Sequence, residues 1–202
     1  MILLSSTLVL SPGSLLGFSF RTCHSSGQLV RQIGDNGHNS FILSLTSEGE
    51  VKLEVKSGDL NREEVVGGGL GDGEWHTVRV GVAQGRTTLC LSVDAEGSEE
   101  ECNPPRSGPS VMNPETEDST RRLEGVQALL EALNLTESSP SFVLGSGMVG
   151  CMREGPGVRL TTGNVIESDS DVDWGTCLLP SSCQGEFTRK ISCQMIELHE
   201  VQ

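Results

Sequence analysis

Between residues 51 and 93 the chain alternates apolar and polar side chains, and that period of two is the strongest constraint on its fold. In Val51-Lys-Leu-Glu-Val-Lys, Val51, Leu53 and Val55 fall on one face and Lys52, Glu54 and Lys56 on the other. Trp75–Val82 repeats the pattern, with Val78, Val80 and Val82 inward and Thr77 and Arg79 outward. Thr88–Val93 repeats it again with Leu89, Leu91 and Val93. Successive residues of a strand point to opposite faces, so this pattern predicts strands with one buried side. Phe41-Ile-Leu-Ser-Leu-Thr lies just before Ser47-Glu-Gly-Glu and the Val51 run, which predicts a hairpin. Strands about ten residues apart, with Gly- and Asp-rich turns, predict an antiparallel two-sheet sandwich.

Two segments depart from this rhythm. Residues 94–120 are rich in Glu, Ser, Pro and Asn, and read as a long surface loop or insertion. From Arg121 to Asn134, apolar residues at 123, 126, 129, 130 and 133 follow helical spacing. With Ala, Leu and Glu abundant, this predicts a short inserted helix whose apolar stripe packs on the sheet. Strand patterning returns at Phe142-Val-Leu-Gly, Met148-Val-Gly-Cys-Met-Arg and Val158-Arg-Leu.

Composition narrows the function classes. The 202 residues carry 14 Lys and Arg against 28 Asp and Glu, a net charge of −14. Such a chain would be repelled by a phosphate backbone, so nucleic acid is excluded as a partner. Five Phe, two Trp and no Tyr are too few for a base-stacking platform or an aromatic-belted barrel. The first twenty residues are uncharged but contain five Ser, a Thr, a Pro and two Gly, which breaks any spanning helix. Ile2–Leu10 has the length of a signal-peptide core but lacks a preceding basic residue. The reading preferred is a first strand, in a chain starting at a gene-model start or the edge of a longer protein.

Cysteines stand at 23, 90, 102, 151, 177, 183 and 193. None forms a C-x-x-C pair, and His24, His38, His76 and His199 are not at ligand spacing from Cys pairs, which argues against a zinc site. Disulfides in an extracellular compartment are the better reading. The odd number leaves one thiol free, bonded to another chain, or without its partner through truncation. Cys90 and Cys102 flank Asp94-Ala-Glu-Gly at nearly equal distances, which predicts a pair across a hairpin. Asn134-Leu-Thr is a glycosylation sequon and fits the same compartment.

Three strings carry the most information: Gly17-Phe-Ser-Phe-Arg-Thr, Asp72-Gly-Glu-Trp-His-Thr-Val, and Gly150-Cys-Met-Arg followed by Cys177. With Phe41–Leu53, Leu91-Ser-Val-Asp and Phe142-Val-Leu-Gly between them, the order resembles the laminin G-like (LNS) domain over about residues 8–177. The resemblance implies an all-β, jelly-roll-like (concanavalin A-like) sandwich of two curved antiparallel sheets, with the insertion at about 95–138. It also implies a Cys151–Cys177 disulfide. The tail 178–202, with Cys183 and Cys193, looks like the truncated start of an EGF-like module, as follows such domains in crumbs-, Fat- and neurexin-type proteins. Its second spacing is long for EGF, and no Gly-Gly-x-Cys occurs. Pairings for Cys23, Cys183 and Cys193 stay open.

No cofactor is implied. Some laminin G domains bind calcium through an Asp before the aromatic that opens the hairpin, but Ser40 stands there, and a hydroxyl is a far weaker ligand. Asp35, Asn36 and Asn39 lie close by, and ordinary turn chemistry explains them equally well. Asp169-x-Asp171-x-Asp173 resembles an EF-hand start but lacks the Gly at six and the Glu at twelve. Catalysis is not expected. Gly145-Ser146-Gly147 is a turn rather than G-x-S-x-G, His76 reads as a structural imidazole, and Glu50, Glu54 and Glu63 do not make a glycosidase carboxylate set.

The expected function is therefore an extracellular recognition module, secreted or part of an ectodomain, binding a protein or glycan partner through its rim loops. Heparin-type partners are disfavoured by the charge unless Arg79, Arg86, Arg121 and Arg122 gather into a patch. Two alternatives stand beside it. One is a steroid-type carrier of the same fold with a polar anchor such as Ser40 or Asn39. The other is a fragment without independent activity.

Overall fold

The structure, a computed structural model, describes residues 2–4, 15–33, 38–82, 88–94, 120–124, 142–156, 158, 160, 165–168 and 177. In chain order the strands among them are β1 (Ile2–Leu4), β2 (Leu15–Thr22), β3 (Gly27–Ile33), β4 (Asn39–Leu45), β5 (Val51–Ser57), β6 (Leu60–Val66), β7 (Trp75–Val82), β8 (Thr88–Val93), β9 (Thr120–Glu124), β10 (Phe142–Leu144), β11 (Gly150–Arg153) and β12 (Val165–Ser168). They form a seven-stranded sheet, β12-β1-β10-β3-β4-β5-β6, and a five-stranded sheet, β11-β2-β7-β8-β9. Every pairing within both sheets is antiparallel.

The alternation read in the sequence becomes the interior. Phe18 and Phe20 from β2, Phe41 and Leu43 from β4, Leu53 and Val55 from β5, Val78 and Val80 from β7, and Leu89 and Leu91 from β8 are each at most 1% exposed. Side chains of this size each contribute about 1.5–3 kcal/mol when removed from water. On β4 the buried Phe41, Leu43 and Leu45 alternate with half-buried Ser40, Ile42 and Ser44, which turn to the outer face. Ser40 therefore points away from the layer in which a carrier would hold its ligand. On β3 the register shifts between Gln28 and Val30, and the extra residue lets both Leu29 and Val30 be buried.

The β4–β5 hairpin closes where its sequence predicted a turn. Thr46 N–H donates to the Glu50 carbonyl (2.8 Å), Gly49 N–H donates to the Thr46 carbonyl (2.9 Å), and Gly49 takes φ +73°. Only glycine adopts that backbone region without a steric cost. At the edge of the sheet, β6 exposes Leu60, Asn61, Arg62 and Glu63. Glu54 lies directly opposite Glu63, a repulsive pairing, and Lys52 relieves it with its ammonium 2.8 Å from Glu63 and 3.8 Å from Glu54. The Lys52 pKa is raised, first by the hydrogen bond to Glu63.

One expectation is corrected. The helix expected from Arg121 does not begin there: Thr120–Glu124 is strand β9, paired antiparallel with β8 so that Leu123 lies opposite Leu89. Pairing with a buried neighbour overrides the local helical preference. The rest of the expected helix lies outside the described residues, as do Asn134 and the tail 178–202. Cys90, expected to pair with Cys102, is buried on β8. Its neighbours across the sheet are Gly81 on β7 and Arg122 on β9. Cys102 lies outside the described residues. The first strand expected near the start is β1, between β10 and β12.

The Gly of Gly150-Cys-Met-Arg has a physical reason. A Cβ there would run into the Arg21 carbonyl oxygen and stand 3.0 Å from the Thr22 Cβ, forcing β11 away from β2. Gly150→Ala is expected to cost about 1–3 kcal/mol, as overpacking does. Urea unfolding should show a lower midpoint with an unchanged slope.

Candidate functional site

At one end of the sandwich β2 ends, β7 begins and β8 ends, and the sequence motifs meet there. Asp72-Gly73 makes the turn into β7. The Asp72 carboxylate accepts the Glu74 backbone N–H (2.8 Å), and Gly73 takes φ +84°. The turn is tied to β2 twice: Gly73 N–H donates to the Thr22 carbonyl (2.9 Å), and the Arg21 guanidinium Nε donates to the Gly73 carbonyl (2.5 Å). Arg21 is 5% exposed, so this bond satisfies a buried cation's donor.

His76, two residues into the inward-facing register of β7, lies opposite Phe20 with ring centroids 5.7 Å apart. Its two nitrogens face two carboxylates. Nδ1 is 2.6 Å from Asp94 Oδ2, and Nε2 is 2.9 Å from Asp72 Oδ1. Asp94 is held in turn: its Oδ1 accepts the Thr77 N–H (2.6 Å), its own N–H donates to the Thr77 carbonyl (2.9 Å), and its backbone takes φ +51°. Burial pulls the His76 pKa down, but the hydrogen bonds to Asp94 and Asp72 and their charge pull harder, so it is raised above its ordinary value. Burial pushes Asp72 up, yet the Glu74 N–H and His76 outweigh it and its pKa is lowered. With both ring nitrogens facing carboxylates, neither is placed to take a proton from a substrate hydroxyl. The imidazole is a structural brace.

On the outer face beside this cluster, the Arg153 guanidinium carbon lies 3.7 Å from the centre of the Trp75 ring. Among the described residues the buried Arg153 Nε has no hydrogen-bond partner, and the guanidinium meets the aromatic face. Cys151, opposite Arg21 on β2, is disulfide-bonded to Cys177 with Cα atoms 5.6 Å apart. Cys23 is also disulfide-bonded. Around the same end, Leu70 N–H donates to the Gly49 carbonyl (2.8 Å), Gly145 N–H to the Leu29 carbonyl (2.9 Å), and Thr22 Oγ1 to the Val149 carbonyl (2.7 Å). With the His24 N–H donating to Thr22 Oγ1 (3.0 Å), these bonds stitch the loops 23–26, 46–50, 67–74 and 145–149 into a braced rim that exposes His24, Ser25, Ser26, Glu74 and Val149.

Of the residues considered for calcium, those described are not part of this rim. Asn39 and Ser40 open β4 at the opposite end, while Asp35, Asn36, Asp169, Asp171 and Asp173 lie outside the described residues. Among the described residues no group of three or more His, Cys, Asp or Glu is placed to hold a metal ion. Of the arginines weighed for a basic patch, Arg79 lies on β7 opposite Ser92, Arg121 and Arg122 lie on β9, and Arg86 is outside the described residues. No helix among the described residues is long and apolar enough to cross a membrane.

The family model for the laminin G domain matches residues 20–154, from Phe20 on β2 to just past Gly150-Cys-Met-Arg. The chain belongs to the laminin G domain family. The crystal structure of the LG1-3 region of the laminin alpha2 chain shares its fold at a TM-score of 0.52 and 16% identity, covering 75% of this chain and 28% of that one. Mouse laminin alpha1 chain domains LG4-5 match at 0.44 and 16% identity, covering 70% and 31%. The CBM40 of the Ruminococcus gnavus IT-sialidase, solved bound to alpha2,3 sialyllactose, matches at 0.47 and 14%, covering 70% and 67%. This chain thus spans under a third of the length of the two laminin structures. Laminin G domains are typically extracellular and generally non-catalytic.

Asp94 and the disulfide can be tested separately. Asp94→Gly relieves the left-handed backbone but removes both carboxylate contacts, and the second effect is expected to win by about 1–3 kcal/mol. Chemical denaturation should therefore show a destabilised protein. Replacing Cys151 and Cys177 together by Ser opens a link of sequence separation 26. That should cost about 2–4 kcal/mol, read as a lower unfolding midpoint that a reductant no longer shifts as far.

Proposed function

We propose that this chain is a non-catalytic recognition module of a larger extracellular mosaic protein, binding a protein or glycan partner in cell adhesion, polarity or matrix assembly. The observation that carries the reading is the braced rim. Exposed side chains of several loops ride there on backbone cross-linked by hydrogen bonds, so little conformational freedom remains to be lost on binding. Val149 is 47% exposed and supplies apolar contact, and exposed Glu74 supplies charge beside it on the same rim. The crumbs-, Fat- or neurexin-type setting, the EGF-like start in 178–202, and a glycan on Asn134 belong to this proposal, as does a secreted or ectodomain location.

The carrier alternative keeps one observation in its favour. Gln32 is 3% exposed, lies opposite Phe41, and its Oε1 is buried without a hydrogen-bond partner among the described residues. A buried amide oxygen of that kind would suit a ligand hydroxyl between the sheets.

Secreted, disulfide-intact protein displayed against a glycan array and a library of extracellular domains tests the first reading. A partner's affinity should fall at least tenfold in Val149→Asp combined with Glu74→Lys, with the melting temperature unchanged. Binding indifferent to both substitutions moves the site off this rim. Saturable steroid binding that is lost in Gln32→Leu would replace recognition by transport.

A further inference from the structure

We propose that His76 is a proton-operated catch: doubly protonated, it ties the Asp72-Gly73-Glu74 turn to Asp94, and on losing a proton it releases Asp72 while keeping Asp94. The argument is geometric. An ionised carboxylate only accepts hydrogen bonds, so both contacts, at 2.6 and 2.9 Å, require a proton on each ring nitrogen. A neutral ring keeps one. The nitrogen left bare then turns a lone pair toward a carboxylate oxygen, and that contact becomes repulsive.

Which contact breaks follows from the anchoring of each carboxylate. Asp94 is pinned to β7 by the Thr77 N–H on its Oδ1 and by its own N–H on the Thr77 carbonyl. Its contact with His76 is also the shorter. Asp72 accepts from the Glu74 N–H and from its own N–H, bonds that lie within the turn and move with it, whereas Asp94 is bonded across to β7. The two side chains are 48% and 44% exposed, so water reaches both and exposure does not choose between them. The remaining proton therefore stays on Nδ1, facing Asp94. Gly73 remains tied to Thr22 and Arg21, which limits the release to the outer part of the turn. Phe20 packs on the ring from β2, and Arg21 on the same strand is directed to the Gly73 carbonyl. Asp94 and Asp72 are the charged groups that act on the imidazole.

The direction with pH follows. The folded chain holds the His76 proton more tightly than an unfolded one does. The catch's stabilisation is full below the ordinary histidine value of 6.5 and fades as pH rises through the raised folded value. The Asp72 part has the opposite sense: its pKa is lowered, so its stabilisation holds above the ordinary 3.8 and is lost as pH falls through the lowered value. The catch is closed between those limits and opens on the alkaline side.

Side-chain nitrogen NMR of the full chain, with disulfides intact, tests this. Protons on both ring nitrogens should give way, at a midpoint above 6.5, to the Nδ1–H tautomer. The Gly73 and Glu74 amide signals should move with the same midpoint, while the Thr77 amide keeps its protection from exchange. Asp72→Asn, at a half-exposed position, should lower the midpoint and uncouple the turn amides from it. An Nε2–H tautomer at high pH, a midpoint at or below 6.5, or turn amides that ignore the titration would overturn the proposal.

Discussion

Two β-sheets stay together only if each turns an apolar surface to the other and satisfies its own backbone groups within its plane. Everything else in this protein is arranged around that requirement. The pleat delivers Phe41, Leu43, Leu53 and Val55 from one sheet and Phe18, Phe20, Val78 and Val80 from the other into a single interior. Few side chains in that layer are polar, and His76 is admitted at the end of the sandwich where carboxylates can reach both ring nitrogens. A buried imidazole without them would carry unpaired polar atoms against Phe20. The same logic governs Arg21, whose donor finds a carbonyl, and Arg153, whose guanidinium finds an indole.

The rim of loops inherits its order from these anchors. Asp72-Gly-Glu-Trp-His is one apparatus: the Asp closes the turn and contacts the His, the Gly supplies a left-handed backbone and two hydrogen bonds to β2, and the Trp covers an arginine from β11. Gly150-Cys-Met-Arg meets it from the other side. Its Gly permits close approach to β2, its Cys holds the chain at Cys177, and its Arg lies over Trp75. Two motifs separated by some seventy-five residues of sequence thus brace one surface.

Strands with a clean alternation, β4, β5, β7 and β8, are legible in the residues because burial on one face leaves its period in the text. Strand β9 is not. It contributes Leu123 as its large apolar residue, and the surrounding leucines follow helical spacing, so nothing local announces that Thr120–Glu124 will pair with β8. At the site, the partners of His76 were only half legible. Asp72 is four residues away within one motif, whereas Asp94 reaches it from the far end of β8. The stacking of Arg153 on Trp75 left no mark in either motif beyond the presence of both residues.

The charged border of the seven-stranded sheet has a consequence for the protein's life outside a single molecule. Among the described strands β6 is the outer one of its sheet, and Arg62 and Glu63 stand along it with Lys52 held close behind. A second chain zipping onto that margin would have to strip water from those ions. That hydration cost disfavours edge-to-edge pairing of copies while leaving the loops at the sandwich end accessible.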